Sequence, residues 1–167
     1  LYFLIQLAHY RLTRLLVFFN PSYDIKGVGY QINQASIAIG SGGFWGLGFG
    51  RSLQKYNYLP EPMTDSIFAI FAEEIGFIGA VSLVLLFIFF FFRAISIAKK
   101  APDIFGRLLA AGLVISIITQ AFINMSAISG LLPLTGITLP FISYGSTSLV
   151  VTMGMAGIIL NISKYRA

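Results

Sequence analysis

From Val81 to Phe92 the chain reads VSLVLLFIFFFF, twelve residues in which one serine is the only polar side chain. A run like this belongs in hydrocarbon, and the rest of the chain agrees with it. Hydrophobic residues make up 57% of the 167 and charged residues only 10%, whereas soluble domains run near half apolar and about a quarter charged. Mean hydropathy is +0.85. These values exclude a disordered chain and argue against a soluble globular domain. They predict an all-α, polytopic helical membrane protein. There is no Cys and a single His, His9, so a disulfide framework, thiolate chemistry, a Ser-His-Asp triad and a His-rich metal site are all set aside. The formal charge of +5 suits basic cytoplasmic loops better than nucleic-acid binding.

A crossing helix needs about 20 residues, and four segments qualify by length: Val28 to Leu47, Asp65 to Phe92, Leu108 to Met125 and Ile142 to Ile162. The first is a poor span, with Gln31, Asn33, Gln34 and five glycines, and needs protein around it rather than lipid. The opening LYFLIQLA reads as the end of a span cut in half, which suggests a piece of a longer protein. The expected fold is one membrane domain over residues 1–167, with about four complete transmembrane helices, a truncated one and outer re-entrant loops.

Charge sets the expected orientation. With four crossings, Arg11, Arg14, Lys26, Arg93, Lys99, Lys100, Arg107, Lys164 and Arg166 fall on one side, and Arg51 and Lys55 on the other. The positive-inside rule puts the nine in the cytoplasm, together with the C-terminus. It puts Gly48 to Thr64 and Ser126 to Phe141 outside. Residues 9–20 (HYRLTRLLVFFN) read as a short amphipathic helix on the inner surface.

The scarce carboxylates are the most informative polar groups. Asp24 and Asp103 suit loop or cap positions. Glu61, Asp65, Glu73 and Glu74 cluster toward the outer edge. Asp65, Ala69, Ala72 and Gly76 share one helical stripe within about 40°, a surface of small residues that a helix or a substrate can approach closely. Two roles remain open for Asp65, a helix N-terminal cap and a reactive carboxylate. Glu73 and Glu74 need a partner or a proton if buried. Arg51 and Lys55 form a basic patch suited to a phosphate or diphosphate. Six glycines in Gly40 to Gly50 resemble a phosphate cradle only weakly, since no βαβ unit is possible; the better reading is a break near the outer face with Trp45 as an interfacial anchor. The uncharged segment Gly130 to Ser148, with two prolines, is expected to fold back into the outer half of the membrane. Gly145, Gly154 and Gly157 offer close packing in the last span.

Four stretches, YQINQASIAIGSGGFWGLGFG, QKYNYLPEPMTDSIFAIFAEEIGFIGA, APDIFGRLLAAG and GLLPLTGITLPFISYGSTSL, resemble in order the C-terminal half of the SEDS family (FtsW, RodA, SpoVE). The wording of the second and fourth is nearer the FtsW branch. The resemblance implies a peptidoglycan glycosyltransferase that polymerises lipid II outside the bacterial cytoplasmic membrane with a class B penicillin-binding protein, in division or shape maintenance. A lipid II flippase and a non-catalytic scaffold for that partner are the alternatives. It implies Asp65 as the catalytic base and Arg51, Lys55 and Glu61 as substrate-binding groups. Structural or orienting roles go to Glu73, Glu74 and the Ser143-Tyr144-Gly145 turn. A divalent cation such as Mg is left open. The chain departs from the family pattern at Met63, where His is usual, at Ser66, where Phe is usual, and at Ser146-Thr147 after Gly145.

Overall fold

The computed structural model describes residues 12–20, 24, 27–52 and 64–165. All regular structure in them is helical: α1 over 12–19, α2 over Val28–Ser41, α3 over Ile67–Lys99, α4 over Ile104–Ile128 and α5 over Ser146–Lys164. Asp24 caps α2, its carboxylate accepting from the Gly27 and Val28 amides at 3.0 Å each. Asp103 caps α4 through the Gly106 amide at 2.6 Å. Both acids therefore answer the unpaired N–H groups that every helix start exposes.

The longest helix, α3, is broken at Gly76, where φ is 77° and ψ −170°. A break strands carbonyls on one side and amides on the other, and in an apolar setting each needs a partner. The glycine-rich loop after α2 supplies them. The Leu47 and Gly48 amides donate to the Glu73 and Glu74 carbonyls at 3.0 Å each, and the Phe77 and Ile78 amides donate to the Gly43 and Phe44 carbonyls at 2.8 and 3.3 Å. A Cβ on Gly76 would lie 2.3 Å from the Gly46 nitrogen. Gly42, Gly43, Gly46 and Gly48 of this loop thus make close backbone contact with the break.

Three helices, α3, α4 and α5, are long and apolar enough to cross a membrane among the described residues. The expected first crossing, Val28 to Leu47, is not one. Helix α2 has 14 residues, about 21 Å, against a hydrocarbon core of about 30 Å. Its start meets the start of α3, through Gln31 and Asp65, and its end meets Ala72, just before the break. It therefore lies alongside the first segment of α3, running in the same sense, through the buried Ala35, Ala38 and Ala69. Residues 77–99 alone, about 34 Å of helix, suffice for the crossing.

This changes the placement of α1. The Arg14 guanidinium donates to the Leu134 carbonyl at 2.9 Å, so α1 sits at the Asp65 end of the bundle, opposite Lys99. The expected grouping of Arg14 with Arg93, Lys99, Lys100, Arg107 and Lys164 does not hold; Arg11, Lys26 and Arg166 lie outside the described residues, as does the half-span at the start. Helix α1 is amphipathic as expected, with Val17 buried and Leu12, Leu15, Leu16 and Phe19 exposed.

Between α4 and α5 the chain forms a non-helical strap. Leu134, Leu139 and Pro140 are buried, and Thr138 lies beside Gln120, two turns inside the end of α4. The strap folds back into the bundle, as its apolar, uncharged sequence predicts. Helix α5 then starts below the end of α4. Its Gly154 and Gly157 have nothing within 4 Å of a Cβ position, so the expected close packing at these two glycines is absent among the described residues.

Candidate active site

Asp65 stands in the turn before α3, half-buried, and does not cap the helix; Ser66 occupies the cap position without a side-chain cap bond. Two amides from other elements hold it. The Gln31 Nε2 of α2 lies 3.3 Å from each Asp65 carboxylate oxygen and 3.0 Å from the Ser66 hydroxyl. The Asn124 Nδ2 of α4 donates to the Asp65 carbonyl at 2.9 Å and to the Ile137 carbonyl of the strap at 2.7 Å. Thr64 and Ser66 hydroxyls lie 3.4 and 3.5 Å from Asp65 Oδ1. Every group donating to this carboxylate is neutral, and no ion pair forms at it among the described residues.

The strap is fixed on the same side. Gln120 Nε2 donates to the Thr138 carbonyl at 3.0 Å, and the Thr138 and Ser148 hydroxyls are 2.8 Å apart. Ser143 is buried and accepts from the Leu139 amide at 2.7 Å, Tyr144 is exposed, and Gly145 leads into α5.

Roughly 10 Å farther along α3 lies the acidic pair. Glu73 is buried and accepts a hydrogen bond from the buried Ser52 hydroxyl. Glu74 is also buried, and its Oε1 has no hydrogen-bond partner. Arg51, next to Ser52, is exposed after a turn closed by its amide on the Gly48 carbonyl at 3.1 Å. The small stripe of Asp65, Ala69, Ala72 and Gly76 thus serves contact with α2 and its loop. Lys55 and Glu61 lie outside the described residues. Among the described residues no three His, Asp or Glu side chains converge.

Sequence reasoning missed Gln31, Asn124, Gln120 and Thr138 as site residues. Gln31 was read only as a burden on a supposed span. Gln120 and Asn124 carried a usable signal, two amides four residues apart and so on one face of an otherwise apolar helix, where polar side chains act as glue between elements.

The fold and site define a multi-pass helical membrane protein with a carboxylate held at one end of its bundle by neutral amides. The chain belongs to the FtsW/RodA/SpoVE family, described as cell cycle protein, whose sequence model matches residues 1–167. It is 48% identical over 162 residues to stage V sporulation protein E of Bacillus subtilis, covering 97% of this chain and 44% of that protein. It is 44% identical over 161 residues to the probable peptidoglycan glycosyltransferase FtsW of Trichlorobacter lovleyi, covering 96% of this chain and 42% of the relative. The chain thus spans less than half the length of these curated relatives. Among solved structures it superposes with a TM-score of 0.74 and 29% identity on a chain of a peptidoglycan synthase complex studied for its coordination of polymerization and crosslinking, covering 94% of this chain and 42% of that one. It also superposes, with a TM-score of 0.58 and 34% identity, on an Asp-to-Ala mutant of the rod shape determining protein RodA of Thermus thermophilus, covering 62% of this chain and 35% of that one.

Proposed function

We propose that this chain is the C-terminal portion of a peptidoglycan glycosyltransferase that polymerises lipid II at the outer face of the bacterial cytoplasmic membrane, with Asp65 as general base. The observation that carries the reading is the setting of Asp65. Its carboxylate is half-buried and, among the described residues, held only by neutral donors, so no described cation competes for the lone pair that must take a proton. In the reaction, a sugar hydroxyl of the acceptor gives its proton to Asp65. Its oxygen bonds to the anomeric carbon of the donor, and the bond from that carbon to the lipid diphosphate breaks, the diphosphate keeping the electron pair. In this reading Arg51 and Lys55 stabilise that leaving charge. Glu61 stays a substrate-binding candidate in the same loop. Ser143, Tyr144 and Gly145 serve as structural elements where the strap enters α5.

The orientation follows from charge. Arg93, Lys99, Lys100, Arg107 and Lys164 lie at the end away from Asp65, which the positive-inside rule assigns to the cytoplasm together with the C-terminus. Asp65 then faces outward, where lipid II polymerisation takes place. Asp65, Glu73 and Glu74 all lie at or before the Gly76 break, and residues 77–99 carry only two serines and Arg93 before the terminal lysine. That distribution favours chemistry at one face over transport through the midplane. The partner in this reading is a class B penicillin-binding transpeptidase.

The test uses the full-length protein in proteoliposomes. Asp65→Asn should abolish glycan polymer formation from lipid II while capture of the transpeptidase is unchanged. Retained polymerisation would remove Asp65 from the mechanism, and lost capture would favour a scaffold.

A further inference from the structure

We infer that Gln31 is a positioning residue for Asp65, aiming one carboxylate lone pair at the acceptor hydroxyl. The inference rests on the proposed role of Asp65 as base and adds a residue that acts through it. A carboxylate on a rotatable side chain in a turn has no fixed aim, yet a general base works only within hydrogen-bond reach and along the right direction. Four observations single out Gln31. Its Nε2 is equidistant, at 3.3 Å, from both Asp65 oxygens, a central position that restricts rotation of the carboxylate plane. The same nitrogen lies 3.0 Å from the Ser66 hydroxyl, so the amide is itself anchored. The other donors to the carboxylate, Thr64 and Ser66, are its chain neighbours and move with it; Gln31 comes from a separate helix 34 residues away. Finally, α2 is a rigid mount, capped by Asp24 at its start and continued by a loop locked onto the α3 break.

The charges around Asp65 make Gln31 testable by titration. On α2 the neighbouring titratable side chain is Tyr30, α4 presents the neutral Asn124, the strap carries no charge, and the described cation at this end nearest the strap is Arg14 on the Leu134 carbonyl. A carboxylate introduced at position 31 would face Asp65 across the distance that the amide spans now. Two carboxylates sharing a site hold their first proton more tightly.

The experiment measures initial rates of lipid II polymerisation by the full-length protein in proteoliposomes, across lipid II concentration and pH, for Gln31→Ala, Gln31→Glu and Asp65→Asn. Gln31→Ala should lower maximal turnover about tenfold or more with half-saturation within about twofold, since binding groups are untouched. Gln31→Glu should move the acidic limb of the pH profile upward by about one unit. A structural role alone would lower the amount of folded protein and leave the rate per folded Gln31→Ala molecule unchanged, and that result would overturn the inference. If Gln31→Ala does not accumulate, Gln31→Met, which keeps the length of the side chain and removes the donor, decides by its rate per folded molecule. An active Asp65→Asn would instead bring down the proposed function and the positioning role with it. An inactive Asp65→Asn beside fully active Gln31 variants would bring down the positioning role alone.

Discussion

The side-chain amide of Asn124 joins the Asp65 carbonyl, at 2.9 Å, to the Ile137 carbonyl, at 2.7 Å. One buried nitrogen on α4 thereby ties the turn that presents the carboxylate to the strap that folds back beside it. Both acceptors are carbonyls, so the amide must face them with its donor. Asn124→Ala leaves two carbonyls without their partner, at about 1–3 kcal/mol each where they are desolvated. The full-length variant should lose at least ~2 kcal/mol, read as a lowered thermal midpoint in detergent. Its polymerisation rate per folded molecule should also fall. Asn124→Asp should be at least as harmful, because an ionised carboxylate facing two carbonyls is repelled by both.

The two adjacent glutamates at the α3 break should respond differently to loss of their charge. Glu73 accepts from the buried Ser52 hydroxyl, and Glu73→Ala removes that buried acceptor, costing about 1–3 kcal/mol. Glu74 is buried with one oxygen unpartnered, a setting in which a charge is a burden. Glu74→Gln keeps the shape and removes the charge, so the thermal midpoint should stay level or rise. A large fall for Glu74→Gln would show that the carboxylate meets a cation outside the described residues.

At Gly76 the backbone itself excludes a side chain. Its φ of 77° disfavours any L residue, and a Cβ would press on the Gly46 nitrogen at 2.3 Å and the Phe44 oxygen at 2.7 Å. Gly76→Ala should prevent the loop from pairing with the break and leave little folded protein in the membrane. Gly112 is the control. It lies within α4 with nothing within 4 Å of its Cβ position, and Gly112→Ala should be tolerated or stabilise by up to about 1 kcal/mol. Membrane accumulation of the two variants, compared by blot and by size-exclusion profile, separates the cases.

The crossing helices α3, α4 and α5 were legible because apolar length is a local property, and the capping roles of Asp24 and Asp103 because caps depend on neighbours a few residues away. The strap was legible from its lack of charge. Helix α2 misled for a physical reason: the composition of Val28 to Leu47 counts apolar residues and cannot register that the glycines after Ser41 pair with a helix break at Gly76. That pairing is non-local and carried by backbone atoms, which leave no side-chain signature beyond the glycines themselves. Mistaking α2 for a crossing then reversed the side given to Arg14. Asp65 drew notice as a scarce carboxylate, whereas Gln31 and Asn124, which hold it, are uncharged and needed the tertiary fold to be seen.

The arrangement of three crossings with α1 at the Asp65 end has a direct topological consequence. The chain contains no Cys, so single cysteines placed in it report their side without background from this segment. In a full-length protein lacking other cysteines, Asn20→Cys at the end of α1 and Ser129→Cys after α4 should both react with a membrane-impermeant maleimide added outside the cell. Lys100→Cys, between α3 and α4, should react only after permeabilisation. Asn20 and Ser129 share a side here because the Arg14 side chain of α1 bonds to the Leu134 carbonyl beyond α4. A full crossing by α2 would place Asn20 with Lys100 instead. Joint labelling of Asn20→Cys and Lys100→Cys from one side would therefore restore the four-crossing arrangement and remove α2 from the Asp65 end, and with it the contact from Gln31.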